Sequence, residues 1–315
     1  MTVAAVDIGA PRDGIVRRIS DVLVARHGFY LLLLLVPPLL WLGVVYLGSL
    51  FALLAESFFS IDDFSGVVVR QPTLATYAQL FQPANFDVIV RTAIVAAVVT
   101  LLAVLVAFPI AYYAARYARG RMKAAFYVAI LMPLWSSYLV KVYAWKLLLA
   151  KEGVIGWAFE QLHASWILDG ILALPTVGGP SLSTSYIGMV LVFLYLWIPY
   201  MILPVQAALE RVPVSLIEAS GDLGASPGQT FRKVILPLAL PGVVAGAIFT
   251  FSLTLGDYIV PEIVSPSSLI LGQVVYIQQG TAGNIPLAAA FAVVPILVMG
   301  VLLTIAKRTG AFDAL

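Results

Sequence analysis

Six windows of roughly 20 predominantly apolar residues dominate this sequence, at about 29–55, 90–115, 124–149, 185–208, 238–262 and 286–306. That length carries a helix across about 30 Å of hydrocarbon, so the expected fold is an all-α membrane protein with six transmembrane helices. The composition agrees: 62% of the 315 residues are hydrophobic, 11% are charged and the mean hydropathy is +1.01, whereas a soluble domain carries about 25% charged residues. Arg17, Arg18 and Arg26 precede the first run in the manner of a signal-peptide n-region. The run is longer than the usual h-region and no small-residue cleavage site follows it, so a retained span is expected. With no cysteine in the chain, disulfides, thiolate metal sites and cysteine nucleophiles are excluded.

Orientation follows from lysine and arginine in the short connections. The N-terminus (Arg12, Arg17, Arg18, Arg26), the second loop (Arg116, Arg119, Arg121, Lys123), the fourth loop (Arg211, Arg232, Lys233) and the C-terminus (Lys307, Arg308) hold 13 of the 18 bases. These segments share one side, so both termini are expected in the cytoplasm. Residues 1–28 then form a cytoplasmic N-terminal segment, 29–309 the six-span domain and 310–315 a cytoplasmic tail. The opposite side, with the helix ends near it, holds Arg70, Arg91, Lys141, Lys146 and Lys151 against Glu56, Asp62, Asp63, Asp87, Glu152, Glu160, Asp169, Asp257 and Glu262, and is net acidic. Its loops, near 57–87, 150–184 and 263–285, carry turn-forming clusters such as PTVGGPSLSTS at 175–185 and are expected to be short caps. No inverted internal repeat and no low-complexity tail is visible.

One polar stretch, EASGDLGASPGQTFRKVILP from Glu218 to Pro237, separates the fourth and fifth apolar runs on the basic side. Pro213 suits the first turn of a helix, because its missing N–H costs nothing there. Gly224 suits a left-handed helix end. Ser226, Pro227 and Gln229 then read as an N-cap, a first helical residue and the reciprocal half of a capping box. Pro237 restricts Leu236 and is expected to break the second helix where the fifth span begins. The expected element is a helix, a glycine corner and a helix, held outside the membrane.

The same stretch resembles the EAA loop of ABC importer permeases: Glu-Ala-Ala, three residues, Gly, nine residues, Ile, any residue, Leu-Pro. Here Glu218, Ala219 and Ser220 are followed by Gly221, Asp222 and Leu223, then Gly224, nine residues, Val234, Ile235, Leu236 and Pro237. Ser220 and Val234 depart from the pattern by near-isosteric changes. The resemblance implies a type I ABC importer permease (MetI-like) fold in a bacterial inner membrane, with segment 210–237 docked on a cytoplasmic ATPase dimer. It also implies a second permease subunit and an external solute-binding protein as partners. Small Ala219, Ser220 and Gly221 allow close approach, Leu216, Ile217 and Leu223 offer an apolar face, and Ser226 caps the second helix. Glu218 either pairs with a base on the ATPase or staples the loop itself. The chain has no G-x-x-x-x-G-K-[ST] loop, so ATP and Mg²⁺ are expected on the partner ATPase. No catalytic residue, metal site or nucleic-acid partner is expected here.

Ionisable groups within spans are functional candidates by default. Asp257 and Glu262 fall toward the end of the fifth apolar run, where a helix dipole favours cations over carboxylates. A structural account gives them basic partners such as Lys141 or Lys146; a functional one places them on a cation path, and for Asp257 both stay open. Glu262 reads more simply as an interfacial acid. Span three carries Trp135, Tyr138, Tyr143 and Trp145, which read as an interfacial aromatic belt, Trp145 above all. Lys141 lies deeper, and structural pairing is the favoured reading for it.

The runs PLWSSYLVKVYAW and LGDYIVPE, the second including Tyr258, are similar to the spermidine/putrescine permease subfamily, specifically its first permease subunit, which usually has Arg where Lys141 stands. This resemblance implies a polyamine or related small cationic solute, with a substrate path past Trp135, Tyr138, Lys141, Tyr143, Asp257, Tyr258 and Glu262. An acidic outer side and aromatic faces for cation–π contact are consistent with one. Gly242 and Gly246 form a G-x-x-x-G spacing suited to close helix contact. Pro109, Pro133, Pro199, Pro204, Pro241 and Pro295 place bends in five spans. An ATP-independent transporter or channel, with Asp257 and Glu262 as cation sites, is the alternative. An intramembrane hydrolase is disfavoured, because His27 and His163 both lie away from the spans' interior.

Overall fold

The computed structural model describes residues 27–62, 64–264 and 268–308. The bases Arg12, Arg17, Arg18 and Arg26, the acid Asp63 and the tail 310–315 lie outside the described residues. The chain divides into two compact units, Met1–Ala55 and Glu56–Leu315.

In the first unit, α1 (His27–Leu40) continues through a π-helical stretch, Trp41–Leu47, into α2 (Gly48–Glu56). The sequence there is apolar on every face of the helix, the pattern of a segment solvated by lipid.

The second unit begins with a small antiparallel hairpin, β1 (Ser60–Ile61) and β2 (Val68–Val69), in register Ser60 to Val69. Then come α3 (Ala75–Leu80), α4 (Pro83–Arg116), α5 (Gly120–Trp135), α6 (Tyr138–Leu148), α7 (Val154–Gln161) and α8 (Ser165–Leu172). They are followed by α9 (Tyr186–Arg211), α10 (Val214–Asp222), α11 (Pro227–Thr230), a π turn (Phe231–Ile235), α12 (Leu236–Gly256), α13 (Ile259–Ile263), α14 (Leu271–Gln279) and α15 (Ile285–Arg308). Among the described residues five helices are long and apolar enough to cross a membrane, and six if α5 and α6 count as one bent span.

The centre of this unit is α9 packed against both α4 and α12. Lipid gives helices no hydrophobic drive to associate, so contact depends on close packing of small residues. Ala103, Ala107, Ala111 and Ala114 repeat at three- and four-residue spacing along one face of α4 and are fully buried. Ala103, Ala107 and Ala111 share a cluster with Met201, Val205 and Leu209 of α9 and with Ala239 of α12. Gly242 and Gly246 complete the contact as the spacing implied: a Cβ at Gly242 would stand 2.4 Å from the Pro204 oxygen, and one at Gly246 2.6 Å from the Met201 sulfur. A second cluster joins Leu80 and Val88 to Leu271, Leu287 and Phe291. There the buried Thr92 hydroxyl accepts the Leu271 N–H at 2.9 Å.

Three expectations are corrected. The third apolar run is not one helix: α5 and α6 meet at a 96° bend, with Ser136 in extended backbone and Ser137 non-helical at ψ 134°. Pro133 weakens the last turn of α5, and the two serines that follow favour non-helical backbone. Pro237 does not break its helix; α11, the π turn and α12 run on as a single stretch, Pro227–Gly256. The Leu236 N–H donates five residues back to the Phe231 oxygen, and this widened turn accommodates the N–H that Pro237 lacks. Finally, the fifth span ends at Gly256, not near 262. Asp257 takes an extended conformation (ψ 134°) as the cap of that helix, and Glu262 belongs to the separate short helix α13.

Candidate functional site

The segment between α9 and α12 folds as a helix, a corner and a helix. Pro213 is the N-cap of α10, one position before the helix proper. Gly224 adopts φ +80° and turns the chain, and the space around it is open: a Cβ would meet nothing within 4 Å. Only the backbone conformation therefore demands glycine there. The Gln229 side chain accepts the Ser226 N–H at 2.9 Å, the reciprocal half of the expected capping box. The Ser220 and Thr230 hydroxyls meet at 2.9 Å and fasten α10 to α11.

This element has two faces. Ile217 and Phe231 turn inward onto the core cluster, and Phe231 meets Phe108 of α4 edge-on at 5.6 Å. Leu216 and Leu223 stay outside, Leu223 89% exposed. Ala219, Gly221 and Asp222 are exposed beside them. Glu218 is exposed too, with no side-chain hydrogen bond or ion pair among the described residues, so it does not staple the loop. A surface of small residues, two leucines and an unpaired acid is thus presented away from the bundle. Pro237, at the far end of the stretch, lies beyond this surface within the continuous helix.

The root of the element is held from two sides. The Arg116 guanidinium, in the last turn of α4, donates to the buried Val212 carbonyl at 3.0 Å. One oxygen of Glu210 accepts from Lys123 Nζ at 2.9 Å, from the Tyr127 hydroxyl at 3.1 Å and from Gln206 Nε2 at 3.2 Å. Sequence reasoning missed Glu210, Tyr127 and Gln206; an acid four residues after a glutamine near a span end was the only signal.

Of the residues assigned to a path, the structure brings Tyr138 and Asp257 into direct contact. The Tyr138 hydroxyl donates to one Asp257 oxygen, and the other accepts the Val260 N–H at 2.9 Å. Asp257 therefore caps α13 and ties it to α6, and neither Lys141 nor Lys146 is its partner. Lys141 instead donates to the Pro133 carbonyl oxygen at 2.8 Å, at the end of α5. Glu262 is exposed and accepts from Gln273 at 3.3 Å. Tyr258 stacks on Tyr276 with centroids 5.1 Å apart. Trp135 and Tyr143 are exposed, and neither makes a ring contact or side-chain hydrogen bond among the described residues. Trp145 is half-buried, its ring against Tyr195 at 5.2 Å. Two aromatic residues not singled out from sequence extend the Tyr138 site, since Tyr138 stacks on Trp197 at 5.9 Å and Trp197 meets Tyr200 at 6.0 Å. His163 sits exposed in a turn with φ 54°.

Bent apolar helices packed around a small-residue core thus carry an elbow between two of them. The chain belongs to the family of binding-protein-dependent transport system inner membrane components, whose model matches residues 107–309. It is 56% identical over 298 residues, 95% of either chain, to the inner membrane ABC transporter permease protein YdcU of Escherichia coli K12. The spermidine/putrescine transport system permease protein PotB of Salmonella typhimurium is 27% identical over 288 residues, 91% of this chain and 92% of that one. Among solved structures, a chain of the bacterial alginate ABC transporter in complex with alginate pentasaccharide-bound periplasmic protein shares the fold, with TM-score 0.66 at 14% identity over 94% of this chain and 98% of that one. The protein is accordingly an ABC importer permease subunit of the inner membrane, a transport component and not an enzyme.

Proposed function

We propose that this permease passes a polyamine, or a closely related small cationic solute, and that segment 210–237 couples it to a cytoplasmic ATPase dimer carrying ATP and Mg²⁺. The exposed elbow carries the coupling part of this reading. Its inner face is anchored on α4, α9 and α12, while Leu216, Glu218 and Leu223 are left for a partner. A groove on an ATPase that closes on ATP would push this elbow as one body. The excess of bases on the elbow's side favours placing it, with both termini, in the cytoplasm. By the family resemblance, a solute-binding protein delivers cargo at the opposite side and a second permease completes the pathway.

The solute assignment rests on similarity to PotB along nine-tenths of both chains, together with the acidic balance of the side opposite the elbow. The exposed Tyr200 ring and the partly exposed Tyr138 ring, backed by the buried Trp197, offer a surface on which methylene chains pack and ammonium groups gain cation–π attraction. ATPase activity of the reconstituted complex with its binding protein, scanned across polyamines, amino acids and uncharged solutes, tests the assignment. Stimulation by spermidine or putrescine is expected. Stimulation by an uncharged solute alone refutes the polyamine reading and leaves the importer in place.

A further inference from the structure

We infer that Glu210 is a positioning residue for transport: it latches the first half of the broken span, α5, to the root of the coupling element, so that motion of the elbow is delivered to the break at Ser136–Ser137. The inference rests on the reading that segment 210–237 couples to an ATPase.

Glu210 is the second-last residue of α9 and lies three residues before Pro213, the N-cap of α10. Any displacement of α10 reaches it through three intervening residues. Three donors converge on the same carboxylate oxygen, two of them, Lys123 and Tyr127, from α5. The two sit four residues apart, one helical turn, so the latch grips α5 at successive turns of one face. An exposed lysine–glutamate pair alone contributes little to stability. A carboxylate whose position is fixed by three donors has a different effect, because it specifies geometry. Gln206, the third donor, is 1% exposed, and its own amide oxygen is buried with no donor. Buried unpaired acceptors are uncommon and call for an explanation. Turning the amide over would set its oxygen against the carboxylate, so the observed orientation is forced by Glu210.

Beyond the latch, α5 is one body as far as the break. Ile130 packs in the same cluster as Met201, Val205 and Leu209. At Trp135 the helix stops, and Lys141 and Ser136 both donate to the Pro133 carbonyl oxygen, at 2.8 and 3.1 Å. The next residue of α6 to face the bundle is Tyr138, on Asp257. A contiguous physical route therefore leads from the elbow through Glu210, Lys123 and Tyr127 to the corner of the broken span.

The test uses the complete transporter with its ATPase and binding protein in proteoliposomes, and compares Glu210→Gln, Tyr127→Phe, Lys123→Glu and the exchange Lys123→Glu with Glu210→Lys. Three quantities are read: ATPase co-purification, ATPase stimulation by the loaded binding protein, and solute taken up per ATP hydrolysed. We expect Glu210→Gln to retain the ATPase and lose at least about fivefold in uptake per ATP, the low end of typical coupling between sites. Tyr127→Phe should lose less, and the exchange should recover part of the loss caused by Lys123→Glu alone. Should Glu210→Gln fail to assemble, Tyr127→Phe and the exchange decide. Unchanged uptake per ATP in every assembled variant overturns the latch. Leu223→Asp serves as the control for the underlying reading: if it keeps the ATPase bound and transport intact, the coupling role of the elbow fails, whatever Glu210 does.

Discussion

Lys141 donates to the Pro133 carbonyl oxygen at 2.8 Å, so a charge on α6 closes the end of α5 across the 96° bend between them. The last carbonyls of a helix have no partner within it, and in hydrocarbon an unpaired one is costly. A cation at that end also complements the helix dipole. Replacing Lys141 by Met leaves Pro133 with Ser136 alone, at 3.1 Å, and is expected to destabilise the fold by about 1.5–3 kcal/mol, the range for hydrogen bonds to charged groups. Lys141→Arg keeps charge and donors and should recover most of that. Unfolding of the purified protein in nanodiscs measures both, and a Lys141→Met variant as stable as the parent would remove the helix-closing role.

The Tyr138 hydroxyl and the Asp257 carboxylate are joined over 119 residues of sequence, which makes them a test of coupling between α6 and the end of α12. Tyr138→Phe keeps the ring on Trp197 and removes only the donor. Asp257→Asn keeps an acceptor for Val260 and removes the charge. Each should cost roughly 1–3 kcal/mol, and the double variant should cost clearly less than the sum, because residues sharing one hydrogen bond are not independent. Additive losses in unfolding free energy would mean that the contact contributes nothing.

These two relationships also mark where the sequence ceased to be legible. Hydropathy located the five long apolar helices and the run that holds the bent pair, because it depends on composition alone. It could not see the break in the third run: PLWSS lies inside an apolar stretch, and a proline followed by two serines is a weak signal when neighbours can satisfy the freed backbone. Pro237 misled in the opposite sense, since the π turn over Phe231–Ile235 lets the helix pass a proline that local rules treat as a stop. A lysine was the natural partner to expect for Asp257. Tyrosine took that place because the bend turns α6 and sets its first residue, Tyr138, against the end of α12. By contrast, the corner at Gly224 and the box at Ser226 were legible in full, because capping is decided within a few residues.

Gly224 separates conformation from space. Its φ is +80°, yet nothing lies within 4 Å of where a Cβ would be, so size alone is no obstacle within this chain. Asn tolerates the left-handed region and a β-branched residue does not. Gly224→Asn is therefore expected to keep ATPase co-purification near the parental level. Gly224→Val should cost roughly 1–2 kcal/mol locally and lower both co-purification and ATPase stimulation. Equal loss in both variants would instead mean that the partner's surface needs the absence of a side chain there.

Gly242 and Gly221 lie on helices of the same chain and should respond to the same substitution with opposite sign. A helical glycine replaced by alanine gains roughly 1 kcal/mol of helix propensity when nothing else changes. At Gly221, in α10, no atom lies within 4 Å of the new Cβ, so Gly221→Ala should leave the fold of the isolated permease as stable or slightly more so. Any loss of transport would then come from the partner side. At Gly242 the Cβ would stand 2.4 Å from the Pro204 oxygen and 2.5 Å from the Ala208 Cβ. Neither is the far end of a flexible side chain, so α9 and α12 must separate, and the penalty of about 1–3 kcal/mol for overpacking outweighs the propensity gain. Gly246→Ala should fall between the two, because its nearest neighbour is the movable Met201 sulfur, although the Met201 Cα and oxygen at 3.1 and 3.2 Å must also give. Thermal unfolding of the three variants in one lipid system gives the order directly. A Gly242→Ala variant as stable as Gly221→Ala would show that the α9–α12 contact is looser than these distances require.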